Sequence, residues 1–233
     1  IGASSYALPD IPMSVGELPP APAEVASVAS DDQTRERLQS YAEFLAGAGV
    51  ERGLLGPREV PRLWDRHLLN CAVVAPLVPQ GAHVIDVGSG AGLPGVVWAI
   101  VRPDITLTCL ESLQRRATYL DEAIASLGLG DRVSVVRARA EDVVRGRASE
   151  GSLRGDVVTA RAVAALDKLA GWTVPLLKPG GELLALKGQS AADEVDASRS
   201  VLEKLGIESV EIVLCGEGIV DPPTTVVRAR KAR

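Results

Sequence analysis

The chain has 233 residues, 46% hydrophobic and 24% charged, with 30 acidic and 25 basic side chains and a net charge of −5. That length suits one large domain, or a domain with a small appendage, and the composition excludes a disordered, collagen-like or mucin-like chain. Two histidines, three cysteines without CxxC spacing and 3% aromatics argue against a multi-imidazole metal centre, a zinc site and a broad base-stacking platform. No apolar run reaches the roughly 18 residues of a membrane span.

Residues 1–30 carry Pro9, Pro12, Pro19, Pro20 and Pro22 among Ala, Ser and Glu, and read as a flexible arm. Met13, the single methionine, is a candidate natural start, which would make residues 1–12 non-native. The segment lacks the basic start and apolar core of a secretory signal, and Cys71, Cys109 and Cys215 read as reduced core residues, so the expected compartment is the cytoplasm. Residues 31–80 read as a helical segment. Leu38, Tyr41, Phe44, Leu45 and Ala48 recur at three and four over residues 32–48, behind an Asp31 or Asp32 cap. A second helix is predicted over residues 57–74, carrying Leu63, Trp64, His67, Leu68 and Cys71, until Pro76 stops it.

From residue 81 to 233 the pattern changes to short apolar runs at 83–87, 105–110, 133–137, 157–160 and 183–186, alternating with helical spacing at 96–101, 115–127 and 166–176. Such alternation demands right-handed crossovers and a parallel sheet covered on both faces, the doubly wound α/β class. Two further β-like runs, 210–214 and 224–227, flank Gly216, Gly218, Asp221, Pro222 and Pro223 and predict an antiparallel hairpin at the sheet edge. Beyond them Arg228, Arg230, Lys231 and Arg233 read either as a solvated tail or as phosphate contacts. Trp64, Trp98 and Trp172 are expected in the core.

The run Val84-Ile85-Asp86-Val87-Gly88-Ser89-Gly90-Ala91-Gly92-Leu93-Pro94-Gly95 leaves the first strand and opens a helix, the context of a cofactor loop. Gly90, Gly92 and Gly95 formally match the dinucleotide GxGxxG, but Pro94 interrupts it. Asp86 at the strand tip would repel a pyrophosphate and could meet an amino group. Acid-x-Gly-x-Gly therefore favours S-adenosylmethionine over NAD. Glu111 ends the second strand, followed by Ser112, where a carboxylate can accept from both ribose hydroxyls. Ala140, Glu141 and Asp142 form a polar turn after the third strand, where the adenine is expected.

The Asp86 to Gly95 run, Arg66-His67 within Trp64-Asp65-Arg66-His67-Leu68-Leu69-Asn70-Cys71, Glu111-Ser112 followed by Arg115-Arg116, Arg139-Ala140-Glu141, Thr159-Ala160-Arg161-Ala162-Val163-Ala164 and Leu186-Lys187-Gly188 together resemble the ribosomal small-subunit methyltransferase G family, also called glucose-inhibited division protein B. The likeness runs from about residue 35 to about residue 230. It implies a Rossmann-like class I S-adenosylmethionine-dependent methyltransferase that modifies N7 of a guanine in 16S rRNA near the decoding site. Its partner would be that RNA, the small subunit or an assembly intermediate, with no metal or membrane and a monomeric enzyme. By position it implies cofactor contacts at Gly88, Leu93, Ala140, Glu141 and Arg161, beside Asp86, Ser89, Gly90, Gly92, Glu111 and Ser112 from the arguments above. Two departures stand out: Asn70-Cys71 where many members have Asp-Ser, and Ala91 where many have Pro.

Guanine N7 carries a free lone pair, so its methylation needs alignment and charge tolerance rather than a general base. Consistent with this, Thr159 to Val163 lacks the Asn/Asp-Pro-Pro-aromatic loop of exocyclic-amine methyltransferases, and no cysteine lies in an exposed loop as a nucleophile. Arg161 is expected to hold the guanine O6 and N7 edge or the cofactor carboxylate, with His67 as a second site residue. Arg66, Arg115, Arg116, Arg137, Arg139 and Lys187 are expected phosphate contacts. Three other readings remain: a methyltransferase of a small molecule or protein, an NAD-dependent oxidoreductase, and a non-catalytic ribosome-assembly factor.

Overall fold

The structure, a computed structural model, describes residues 17–148 and 153–233. The candidate start at Met13 and the first sixteen residues of the expected arm lie outside the described residues. The remainder of that arm is not loose. After Pro19, Pro20 and Pro22 the chain forms a short helix, α1 (Val25–Val28), whose Val25 is buried together with Ala29, and the Pro19 carbonyl accepts from Trp64 Nε1 at 3.0 Å. Proline forbids a long element here, but its fixed φ lowers the entropy lost when an extended strap is pinned to a core.

Helix α2 (Asp32–Phe44) starts where the Asp31 carboxylate accepts from the Thr34 backbone N–H at 2.8 Å, an ordinary side-chain cap. It buries Leu38, Tyr41 and Ala42 and runs on into wider π-type turns, Leu45–Gly49. The single helix predicted over 57–74 is instead a chain of short turns: a 3-10 stretch Pro57–Arg62, a π-type stretch Trp64–Leu69, helix α3 (Asn70–Ala72) and a 3-10 turn Ala75–Leu77. Pro57, Pro61 and Pro76 each withdraw a donor, so an uninterrupted α ladder cannot form across them.

The remaining elements alternate as expected: β1 (His83–Val87), α4 (Gly95–Val101), β2 (Thr106–Leu110), α5 (Gln114–Ser126), β3 (Val133–Val136), α6 (Ala140–Val144), β4 (Gly155–Arg161), α7 (Leu166–Thr173), β5 (Leu177–Lys187), α8 (Ala191–Lys204), β6 (Ile207–Cys215) and β7 (Thr224–Lys231). The seven-stranded sheet has the order β3-β2-β1-β4-β5-β7-β6, with β7 antiparallel to both of its neighbours. The β6–β7 hairpin thus forms the predicted antiparallel end.

Alternation along each strand splits the core into two layers. Val84, Leu107, Trp98 and Leu184 pack with Tyr41, Leu45 and Leu68 of the N-terminal segment; Ile85, Val158, Leu183 and Val227 pack with Leu166, Leu176 and Leu202. Trp64 and Trp98 are buried as expected, whereas Trp172 is only half-buried, with the Lys168 ammonium 5.3 Å from its ring centroid. The basic tail needs a larger correction. Arg228, Arg230 and Lys231 belong to β7: Arg228 pairs with Glu182 and Glu211, Arg230 with Glu208, and Lys231 donates to the Val174 and Leu177 carbonyls. Cations in a paired strand opposite carboxylates are committed to the sheet.

Strand order reverses between β1 and β4, so their carboxyl ends open a crevice at the switch point, where ligands bind in folds of this type. Among the described residues no helix is long and apolar enough to cross a membrane, and no group of three or more His, Cys, Asp and Glu could hold a metal ion.

Candidate functional site

On one side of the crevice the loop after β1 is shaped almost wholly by backbone. Gly88 and Ser89 donate to the Leu110 carbonyl at 2.8 and 3.3 Å, and Gly92 donates to the Ser89 carbonyl at 2.7 Å. Gly88, Gly90 and Gly92 all take positive φ, +68°, +57° and +94°. At Gly92 the constraint is double, because an added Cβ would also lie 2.6 Å from Tyr41 Oη and 2.7 Å from Val96 Cγ2. The Tyr41 hydroxyl donates to the Ala91 carbonyl, so the first long helix of the chain buckles this loop in place.

Two carboxylates hold the loop from beneath, and they differ. Glu111, 3% exposed, accepts from the Gly90 N–H at 3.0 Å through Oε2 and from the Leu113 N–H at 2.9 Å through Oε1. Each oxygen keeps a lone pair, so this pair of acceptors fits the two hydroxyl donors of a ribose diol. Asp86 has no exposed surface. Its Oδ2 accepts from the Gly95 N–H at 3.0 Å, at the start of α4, while Oδ1 has no hydrogen-bond partner among the described residues. The expectation that Asp86 meets a ligand amino group is therefore corrected: it lies under the loop and organises it. Burial pushes its carboxyl up to about 7, against the lowering effect of its bond to Gly95.

The other predicted cofactor positions surround this loop. Ser89 is buried, its hydroxyl donating to the Asp86 carbonyl at 2.8 Å; Gly88 and Ser112 are exposed; Leu93 and Glu141 are half-buried; Ala140 is buried at the first turn of α6. Leu113, 46% exposed near Glu111, was missed; the sequence showed only an apolar residue two positions after that acid, and its exposure is a property of the fold. Arg115, Arg137 and Arg139 stand exposed on this rim, and Arg116 is half-buried.

Across the switch point, β4 delivers Arg161. Its Nη2 donates to His67 Nδ1 at 2.8 Å and to the Arg66 carbonyl at 3.3 Å, and its Nη1 donates to Cys71 Sγ at 3.2 Å. His67 Nε2 lies 2.9 Å from Glu59 Oε2. A guanidinium only donates, so Nδ1 must accept, which leaves the imidazole neutral with its proton on Nε2, facing Glu59. Desolvation, then the Arg161 charge, holds the His67 pKa below its ordinary value, in agreement with a neutral ring.

Arg161 faces an open cleft of about 1150 Å³ whose walls include Arg62, Arg66, Asn70, Lys187 and Asp221. Thr224 Oγ1 donates to the Asn70 carbonyl at 2.9 Å, tying the start of β7 to this wall. Lys187 departs from expectation. Its ammonium donates to the Ala164 carbonyl at 2.8 Å and pairs with Glu194 at 2.7 Å, so it braces the loop after β4 rather than standing free for phosphate. In that loop Ala162 has φ +53°, a left-handed conformation rare for alanine, and it presents Val163, 37% exposed, over the glycine loop. A Cβ on Gly88 would come within 3.0 Å of Val163 Cγ2. Glu59, Arg62, Val163 and Asp221 went unnoticed as site residues because what marks them is position in the fold. All three cysteines are free and buried, and burial pushes the Cys71 and Cys109 thiols up, away from nucleophilic thiolates.

Comparison with known proteins bears on this geometry. A family model described as rRNA small subunit methyltransferase G matches residues 34–222. Among similar proteins, the ribosomal RNA small subunit methyltransferase G of Salinispora tropica is 54% identical over 194 residues, covering 83% of this chain and 80% of the relative. That of Streptomyces coelicolor is 55% identical over 216 residues (91% and 85%), and that of Mycolicibacterium gilvum 52% identical over 216 residues (92% and 92%). Solved structures share the fold at low identity: an O-methyltransferase family protein from Burkholderia thailandensis has a TM-score of 0.56 at 18% identity, covering 81% of this chain and 61% of that one. An S-adenosylmethionine-dependent O-methyltransferase from Thermotoga maritima has a TM-score of 0.52 at 20% identity (70% and 65%).

Proposed function

This chain belongs to the rRNA small subunit methyltransferase G family, with the class I methyltransferase fold and S-adenosylmethionine as cofactor, and from that premise we propose that it methylates N7 of one guanine in 16S rRNA, near the decoding site of the small ribosomal subunit or of an assembly intermediate. It acts as a monomer in the cytoplasm. The observation that carries the reading is Arg161, held at the tip of β4 by three partners and facing an open cleft, opposite the loop and carboxylate that suit a nucleoside cofactor.

Glu111, still able to accept two hydrogen bonds, holds the ribose; Leu113 and the Ala140-Glu141 turn flank the adenine; Gly88 and Gly90 present bare backbone to the rest of the cofactor. When bound, S-adenosylmethionine supplies a methyl already activated on a sulfonium, so the N7 lone pair needs no prior deprotonation and no side chain need act as base. With the contacts above in place, Arg161 retains its Nε–H and one Nη1–H among the described residues. A donor on N7 itself would tie up the attacking lone pair, so Arg161 serves by donating to O6, leaving N7 free. This narrows the expected O6 and N7 contact to O6 alone. Arg62 and Arg66 on the cleft wall, and Arg115, Arg137 and Arg139 on the cofactor rim, meet the phosphate backbone.

The test offers labelled S-adenosylmethionine and the protein to deproteinised 16S rRNA, to small subunits lacking the modification, and to a mixture of tRNA and protein, with the labelled nucleoside identified by mass spectrometry. The expected product is 7-methylguanosine in 16S rRNA or subunits. Label confined to tRNA, protein or small molecules overturns the substrate assignment.

A further inference from the structure

Arg161 is not positioned by its own strand. Its side chain spans to the segment Trp64–Leu69, where the strongest contact is His67 Nδ1 at 2.8 Å. An imidazole can offer that acceptor only while its proton sits on Nε2. Either tautomer is available to a free ring, and the choice is made by whatever the other nitrogen meets. Here it meets Glu59 Oε2 at 2.9 Å, and a carboxylate can only accept. The same Glu59 has its other oxygen 3.9 Å from Arg66, the cleft-wall arginine whose carbonyl also accepts from Arg161. Glu59 lies on a 3-10 turn with Pro57 and Pro61 in it, so its backbone is stiff.

We propose that Glu59 is a positioning residue for methyl transfer: by accepting from His67 Nε2–H it locks the ring in the tautomer whose Nδ1 accepts from Arg161, and so sets where the remaining Arg161 donors point in the cleft. The inference rests on the reading of Arg161 as the acceptor-side contact. Its chemical logic is the interposed neutral ring. A carboxylate bound directly to Arg161 would take up the fork and neutralise its charge, whereas a neutral imidazole orients the guanidinium and leaves it fully cationic toward the substrate oxygen. Glu59 supplies direction from one ring away.

The experiment has two parts, so that an error in the substrate and an error in the relay give different results. First, ¹⁵N NMR of the purified protein at pH 7.5 reads the tautomers of its two histidines, with a His83→Gln variant to assign them. The expected His67 signals are a protonated Nε2 and a bare Nδ1; a protonated Nδ1 overturns the proposal whatever the substrate proves to be. Second, Glu59→Ala and Glu59→Gln are compared with the parent protein for S-adenosylhomocysteine affinity by calorimetry and for methylation of unmodified small subunits. Glu59→Ala is expected to keep cofactor affinity within about twofold while kcat falls at least tenfold. Glu59→Gln, whose amide oxygen still accepts from Nε2–H, is expected to restore kcat to within about threefold of the parent. Unchanged kcat in Glu59→Ala, or equal damage by both variants, overturns it; so does a parallel loss of cofactor affinity, which marks a merely structural role. A parent protein with the expected tautomer that binds S-adenosylhomocysteine but labels no RNA instead overturns the substrate reading and leaves the relay standing.

Discussion

The two walls of the crevice are built by opposite means. The cofactor wall is backbone: glycine N–H groups, a carbonyl at the end of β2 and buried carboxylates, drawn mainly from residues 86–95 and 110–113. The acceptor wall is side chains meeting across long stretches of sequence, Arg161 to His67 over 94 residues and Thr224 to Asn70 over 154. A backbone cradle is indifferent to most substitutions but intolerant of any Cβ in the wrong place. A side-chain assembly can be dismantled one partner at a time, with the fold intact. Damage to the first wall should therefore cost stability and cofactor together, and damage to the second should cost turnover alone.

The hardest break is Gly92→Ala, whose Cβ would meet Tyr41 and Val96 at a φ of +94°. Unfolding by urea should show a loss of about 3 kcal/mol, with S-adenosylhomocysteine binding abolished in calorimetry. Arg161→Ala comes next and should separate the walls: cofactor affinity within about threefold of the parent, kcat/KM on subunits down about a hundredfold, or about 2.7 kcal/mol of transition-state stabilisation. If cofactor affinity collapses as well, the two walls are one unit and the contrast fails. Glu111→Gln leaves one acceptor where two N–H groups are held, and should weaken cofactor binding about tenfold. Tyr41→Phe deletes a single buried hydrogen bond to the loop and should cost about 1 kcal/mol in thermal unfolding.

A separate prediction concerns pH. Asp86 is raised from 3.8 to about 7, so between about pH 4 and pH 7 the folded protein holds a proton that the unfolded chain releases, and stability falls as pH rises through that window. His67 works the other way: its folded pKa lies below 6.5, so its contribution is lost as pH falls below about 6.5. Asp86→Asn should remove the first dependence and expose the second, leaving melting temperature rising from pH 5 to pH 7. An Asn variant that retains the parent's decline toward pH 7 refutes the assignment.

This contrast also explains what could be read from the chain. The loop from Asp86 to Gly95 and the acid at Glu111 are legible because their function is local and their spacing is set by one strand, one turn and one helix. Arg161 and His67 were within reach only through likeness to a family, and Glu59, sitting among prolines in an unremarkable turn, was beyond reach. Charge misled where pairing decided: Lys187, Arg228 and Arg230 are salt-bridged to glutamates, and Lys231 is held by two carbonyls, arrangements that exist only once β5, α8 and the β6–β7 hairpin are assembled. Asp86 was placed correctly at its strand tip, but whether a tip residue looks outward or under the loop depends on pleat parity, and Asp86 shares the inner face with Val84.

The Tyr41 hydroxyl bond to the Ala91 carbonyl crosses 50 residues and joins the N-terminal helices to the cofactor loop. During synthesis α2 leaves the ribosome first and waits; the loop follows, but its tether to the Leu110 carbonyl emerges later still. Through the Tyr41 bond, packing of α2 against the sheet and the shape of the methyl-donor loop are tied to each other.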